Sequence, residues 1–262
     1  MENIMLPSSA KILDIIHETT AEYTFRVAYD KPIRHGQFFQ LSIPKVGEAP
    51  ISVSAKGDGW IEFTIRKVGR LTEGLFGLQP GHTIFLRGPY GNYFPIESFD
   101  NKALVVIAGG TGMAAVRSLL RHYADTRADI RDVYLIAGFK DINSVLFTQD
   151  LQRFRETFNT IATLDHMTVP GFSTGLVTEH IPSIPFAELG EYNVVIVGPP
   201  LMMRFASEAC IQNGADPDNM WLSFERKMSC AVGKCGHCKI NETYVCLEGP
   251  IFRYTQAQAL LD

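Results

Sequence analysis

The sequence predicts an N-terminal antiparallel β domain, then a doubly wound parallel α/β domain, then a short cysteine-rich tail. Six short strand-like runs fill the first hundred residues. From about residue 100, continuous apolar runs alternate with segments of helical periodicity, and four of the five cysteines fall between Ser229 and Cys246. A chain of 262 residues is long enough for two cores. The boundaries implied are residues 1–99, 100–225 and 226–262.

The first six strands are KILDII, EYTFRVAY, GQFFQLSIP, PISVSA, WIEFTIRKV and TIFLRG, β-branched or aromatic runs separated by turn residues. Lys56-Gly57-Asp58-Gly59 between the fourth and fifth is a hairpin signal. Strands in series without long helices describe a barrel or sandwich, with one helix near LTEGLFGL before the sixth strand. The second domain reads as strand ALVVIAGG, helix TGMAAVRSLLRHY, strand DVYLIAGF, helix NSVLFTQDLQRFRET and strand FNTIATLD. Strand NVVIVGPP, helix LMMRFASEACIQ and a closing strand MWLSFE follow. Apolar strands alternating with amphipathic helices bury a parallel sheet on both faces.

The formal charge of −4 gives no broad basic field, which argues against nucleic acid as a partner. No apolar run is long enough to span a bilayer, and MENIMLPSSAK has no leader pattern, so the default location is cytoplasmic. Gly110, Gly112 and Ala115 fit G-x-G-x-x-[GA] between a strand and a helix. Such glycines let backbone amides approach a pyrophosphate at a helix N-terminus, although a tight turn explains them equally. Asp141 falls late for the acidic residue of the dinucleotide fingerprint, leaving NADH or NADPH open. Gly138 and Gly198 end two further strands and could line the same crevice.

Cys230, Cys235, Cys238 and Cys246 follow C-x4-C-x2-C-x7-C, whose first three have the plant-type [2Fe–2S] spacing. In a reducing compartment an iron–sulfur cluster is favoured over structural zinc, and zinc over disulfides. Cys210, on a helix, reads as a small buried hydrophobe. A nicotinamide delivers two electrons and a cluster accepts one, so chemistry between them calls for a flavin.

The tokens GEAPISVS, IRKVGRLTEGL, GPYGNYFP, IAGGTGMAAV, VVIVGPPLMM and FERKMSCAVGKCGHC resemble the ferredoxin–NADP reductase-like family, in the branch with a C-terminal [2Fe–2S] loop. The resemblance implies an FAD-binding barrel and an NAD(P)-binding α/β domain, with NADH preferred to NADPH. Ala49-Pro50-Ile51-Ser52 occupies the family's flavin motif, with Ser52 near the reactive nitrogen and Ala49 where arginine is usual. Thr64, Ile65 and Arg66, with Arg66 the replacement cation, and Gly69, Leu71 and Thr72 complete the flavin segment. Gly110, Thr111 and Gly112 match the nicotinamide-nucleotide loop, Gly198-Pro199 its later strand end, and Glu225 an acidic position near the nicotinamide.

Within that branch the short last cysteine spacing, the GKCGHC core and the YVCLEGPIF tail are most similar to the sulfite reductase members. That implies an electron-input subunit whose partners are a sirohaem catalytic subunit and a further iron–sulfur subunit. The alternatives are the electron-transfer subunit of dihydroorotate dehydrogenase B or of a soluble hydrogenase, and, from another class, a zinc-stabilised non-redox module.

Overall fold

The computed structural model describes residues 5–260, so the leader-free reading of residues 1–4 lies outside the described residues. The chain divides into two compact units, Met1–Phe94 with Phe224–Pro250, and Pro95–Ser223 with the segment from Ile251 onward. No helix among the described residues is long and apolar enough to cross a membrane.

The first unit is a closed barrel in the order β1-β2-β5-β4-β3-β6. Its strands are β1 (Ser8–His17), β2 (Glu22–Ala28), β3 (Phe38–Ile43), β4 (Gly47–Gly57), β5 (Trp60–Arg66) and β6 (Thr83–Tyr90). All neighbours are antiparallel, and β1 closes on β6 through Ser8–Leu86 to Lys11–Thr83. The six expected strands are therefore all present, and closure removes the exposed edges an open sheet would leave. Alternation sends Ile12, Phe25, Phe39, Leu41, Phe63, Ile65 and Leu86 into the interior. Phe39 and Phe63 meet edge to face at 5.7 Å. The helix expected between β5 and β6 is α1 (Arg70–Phe76), which caps the barrel with Leu71 and Leu75.

The second unit is a seven-stranded sheet in the order β10-β9-β8-β7-β11-β12-β15. It starts with α2 (Ile96–Phe99), β7 (Ala103–Gly109), α3 (Gly112–Asp125), β8 (Asp132–Phe139), α4 (Thr148–Thr157), β9 (Asn159–Leu164) and β10 (Ser173–Thr174). There follow α5 (Val177–His180), β11 (Tyr192–Val197), α6 (Pro200–Gln212) and β12 (Met220–Ser223). Every residue of β7 and β11 is buried, because helices cover both faces of a parallel sheet. Each fully buried Val, Ile or Leu contributes about 1.5–3 kcal/mol, which fixes these two strands as the centre.

Two sequence expectations change. The helix expected from Asn143 begins at Thr148, because Phe147 sits in the left-handed region at φ 56° and interrupts it. MWLSFE does not close the sheet: β15 (Ile251–Arg253) pairs antiparallel outside β12. The chain over 226–262, expected as one cluster-binding segment, divides its contacts between the two units. Phe224–Pro250, with β13 (Lys239–Ile240), β14 (Thr243–Tyr244) and α7 (Val245–Glu248), groups with the barrel. β15 and α8 (Tyr254–Ala257) complete the α/β sheet instead, with Phe252, Tyr254 and Ala257 buried.

Candidate functional site

Within the barrel unit, the parity of β4 decides which residues can meet a ligand. Ala49 and Ile51 pack against the barrel core while staying half-exposed. Pro50 and Ser52, on the alternate parity, lie on the outer face and are half-buried. Glu48 shares that face, as do Gln40, which pairs with Pro50 and with Arg87, and Arg87 itself on β6. The side chains of Ala49 and Ile51 therefore complete the core, and Ser52 is the motif residue presented outward.

The remaining flavin-segment side chains are largely committed to the fold. Ile65 and Leu71 are core residues. The Thr64 hydroxyl lies 2.8 Å from that of Thr24 and 2.9 Å from that of Ser54. The Thr72 hydroxyl accepts from the Val68 and Gly69 amides at 2.9 and 3.0 Å and donates to Gly69 O, capping α1. Arg66, expected to replace the missing arginine, is ion-paired to Glu22 at 2.5 Å, with its side chain still half-exposed. These residues can offer backbone groups, and Arg66 its outer nitrogens, to an anionic ligand.

The cysteine loop lies in the same unit. Ala231, Gly233 and Gly236 adopt φ of 60°, 71° and 78°, turning successive amides toward the sulfurs. Val232, Lys234 and Cys235 donate backbone N–H to Cys230 Sγ at 3.5, 3.3 and 3.4 Å, and Gly233 donates to Cys246 Sγ at 3.2 Å. Such bonds stabilise negative charge on sulfur. The four thiols all belong to the segment between Cys230 and Cys246. The Cys235 thiol is drawn down to about 7, chiefly by the His237 amide and then by the Cys230 groups. Burial, and secondarily the Cys238 thiol, pushes Cys246 up to about 12. Among the described residues no three His, Cys, Asp or Glu side chains converge on one metal position. Cys238 and Cys246 are buried, whereas Cys235 and His237 are exposed. Cys210 is buried outside this group, its thiol raised to about 12 by desolvation, as expected of a core residue.

One feature of the barrel face has no counterpart in the sequence expectations. Arg87, 6% exposed, forms a bidentate pair with Glu48 at 2.7 and 2.7 Å. It also donates to Ser229 O at 3.0 Å, Cys230 O at 3.2 Å and Tyr90 Oη at 3.3 Å. GEAPISVS ends one side of this pair and RGPYG begins the other, but nothing local in either string links positions so far apart.

Glu225 precedes the loop. Its side chain is open to solvent, yet the protein crowding around it raises its carboxyl above the usual range, and the Arg66 charge opposes that rise.

In the α/β unit, β7 and β11 are adjacent and lead in opposite directions across the sheet, so their carboxyl ends flank the switch point. The glycines there answer different demands. Gly110, at φ 53°, has open space around it, and its amide donates to Gly138 O at 2.9 Å. A Cβ on Gly112 would stand 2.5 Å from Val197 O, so Gly112 lets α3 start against β11. A Cβ on Gly198 would meet Met202 Sδ at 2.5 Å, and one on Gly138 would meet Val177 Cγ1 at 2.3 Å. Gly138 is thus a packing residue, and Met202 fills the space beside Gly109 and Gly198. Thr111 is half-buried at the α3 N-terminus, and Pro199 is exposed at the start of α6. Asp141, two residues past β8, carries a buried Oδ1 with no hydrogen-bond partner among the described residues. An orphaned acceptor of this kind fits a ligand hydroxyl.

Comparison with known proteins agrees with this geometry. Residues 106–208 match the family described as an oxidoreductase NAD-binding domain. Residues 225–258 match the iron–sulfur cluster binding domain of dihydroorotate dehydrogenase B. The chain is 33% identical to sulfhydrogenase 1 subunit gamma of Pyrococcus furiosus, with 97% of this chain and 95% of that protein covered. It is 31% identical to a probable dihydroorotate dehydrogenase B (NAD(+)) electron transfer subunit of Methanocaldococcus jannaschii, with 94% and 89% covered. The solved structure of an NADH-dependent reduced ferredoxin-NADP oxidoreductase shares the fold at TM-score 0.78 and 20% identity, with 94% and 88% covered. A ferredoxin NADP+ reductase from Neisseria gonorrhoeae does so at 0.71 and 21%, with 82% and 97% covered. The chain belongs to the family of electron-transfer subunits, with an NAD-binding domain and an iron–sulfur cluster binding domain, that includes the sulfhydrogenase gamma and dihydroorotate dehydrogenase B subunits.

Proposed function

We propose that the chain is the electron-input subunit of a sulfhydrogenase-like complex, taking hydride from NADH and passing single electrons to a catalytic partner subunit. The observation that carries this reading is the seating of the four-cysteine loop, through Arg87, on the same barrel face that presents Ser52. FAD, when bound, supplies the conversion between a two-electron hydride and one-electron transfer through a [2Fe–2S] cluster.

The chain's own residues would act by position. Ser52 offers a hydroxyl at the flavin edge, Gly69 and the first amides of α1 face its phosphates, and Arg66 contributes charge. Gly110-Thr111-Gly112 and the N-terminus of α3 receive the pyrophosphate of the dinucleotide. Asp141 accepts from a ribose hydroxyl and repels a 2′-phosphate, which favours NADH over NADPH. Cys230, Cys235, Cys238 and Cys246 ligate iron, and Glu225 stands beside the loop as the acidic group of the nicotinamide end. The protein acts in the cytoplasm.

The partner is chosen by full-length likeness. The relatives above are sulfhydrogenase and dihydroorotate dehydrogenase subunits, which favours those partners over the sulfite reductase, with its sirohaem and further iron–sulfur subunits, expected from the cysteine spacing. A dihydroorotate dehydrogenase complex is the second reading, supported by the match over residues 225–258.

The test is purification of the native complex, flavin and iron analysis, and assay with NADH against hydrogen production, orotate and sulfite. The proposal expects stoichiometric flavin, about two irons per chain, and NADH oxidation coupled to hydrogen production alone. Coupling to orotate would transfer the assignment to the second reading, and coupling to sulfite would restore the first expectation. Stoichiometric zinc without flavin would end all three.

A further inference from the structure

Arg87 is the most heavily committed side chain on the barrel face that carries Ser52. A guanidinium has five N–H donors, and here each has an acceptor: two go to Glu48, one to Tyr90, one to Ser229 O and one to Cys230 O. Two of these acceptors belong to the cysteine loop, one of them being the carbonyl of the first cysteine itself. Glu48 stands on β4 on the same face as Ser52, and Gln40, paired with both Pro50 and Arg87, reaches Ser229 O at 3.5 Å. The fork therefore joins the strand presenting Ser52 to the start of the cysteine loop by charge-assisted hydrogen bonds, with no flexible element between them. Lysine, a point charge with three donors, cannot reproduce that planar set.

We propose that Arg87 is a positioning residue that fixes the first cysteine of the cluster relative to the flavin-binding strand and, with Glu48, sets the reduction potential of the cluster. The inference rests on the flavin and iron–sulfur reading above. Its physical basis is the sign of the two paired charges, Arg87 buried and Glu48 reaching solvent. A cation near the cluster favours the added electron, and a carboxylate disfavours it. In the native pair each offsets the other. Removing one leaves its partner uncompensated beside the loop.

The experiment is a redox titration of the full chain with its cofactors, comparing wild type with Arg87→Gln, Arg87→Lys and Glu48→Gln. Flavin content, iron content and thermal midpoint are measured on each sample. Arg87→Gln is expected to lower the cluster potential so that the equilibrium constant for reducing it falls at least tenfold, about 59 mV for one electron. Glu48→Gln is expected to shift the potential in the opposite direction. Arg87→Lys should recover more than half of the Gln shift, because it restores charge without the fork. A merely structural contact predicts no reversal of sign. Unshifted potentials in chains that retain iron, or shifts of one sign in both Gln variants, would overturn the proposal. So would loss of iron from Arg87→Gln combined with an unshifted Glu48→Gln. A wild-type chain without flavin or iron would show instead that the functional reading had failed, before any variant is examined.

Discussion

At the scale of single residues, the glycines at the strand ends show that one motif can conceal several forces. The run GGTGMAA is visible in the sequence, and its position between strand and helix is as expected. What each glycine answers to is not visible. Gly110 needs its positive φ and has room for a side chain, whereas Gly112 has no room against the Val197 carbonyl and Gly198 Cα. Gly110→Ala should therefore cost about 1 kcal/mol through backbone conformation alone. Gly112→Ala should cost about 1–3 kcal/mol, because its new contacts are backbone and cannot swing aside. Thermal unfolding of the two variants checks the order, with Gly112→Ala expected to melt lower. NADH titration by flavin bleaching should show the larger affinity loss for Gly112→Ala as well. Equal effects would mean that the close approach at Gly112 relaxes and costs no more than the backbone conformation at Gly110.

At the scale of elements, strands announced themselves because alternation and apolar runs are local properties of the chain. All six barrel strands and the four central strands of the α/β sheet were legible on that basis. The Arg87–Glu48 fork was not, because its members are brought together only by barrel closure. The four cysteines were legible from spacing, but the backbone that aims amides at them was not, since Ala231 adopts a left-handed conformation that its identity does not advertise. Gly233 tests the loop as an element. It combines φ 71° with an amide donated to Cys246 Sγ, and a Cβ there would meet Leu247 Cδ1 at 2.1 Å. Leu247 is 57% exposed and can turn away, so the backbone conformation carries the cost. Gly233→Ala should speed iron loss to a chelator by roughly tenfold, for about 1–2 kcal/mol of strain. Adding Leu247→Ala should restore little of that stability. Full rescue by the second substitution would show that crowding, and not the left-handed turn, was responsible.

At the scale of the whole molecule, each compact unit is assembled from two separate stretches of chain. A break at residue 226 follows from composition, but the chain after Ser223 serves two units in turn. Phe224–Pro250 joins the barrel unit, and only then does Ile251–Arg253 return to cover β12. A three-residue strand carries too little pattern to be read from sequence, although its burial is complete at Ile251 and Phe252. Truncation after Pro250 should therefore harm the α/β unit more than the barrel. It removes the ladder partners of Trp221, Leu222 and Ser223, and uncovers the apolar contacts of Tyr254 and Ala257. Hydrogen exchange should show lost protection in β12 while β3 and β4 stay protected; uniform loss would mean that the two units unfold as one. The return of the chain has a further consequence. Ser223 pairs with Ile251, and the Phe224 amide donates to Pro250 O at 2.8 Å, so the cluster-bearing segment leaves and re-enters through a neck one strand spacing wide. Such a segment is a cassette. Its length is not set by the sheet, because the two ends meet at a single ladder step whatever the chain does between them.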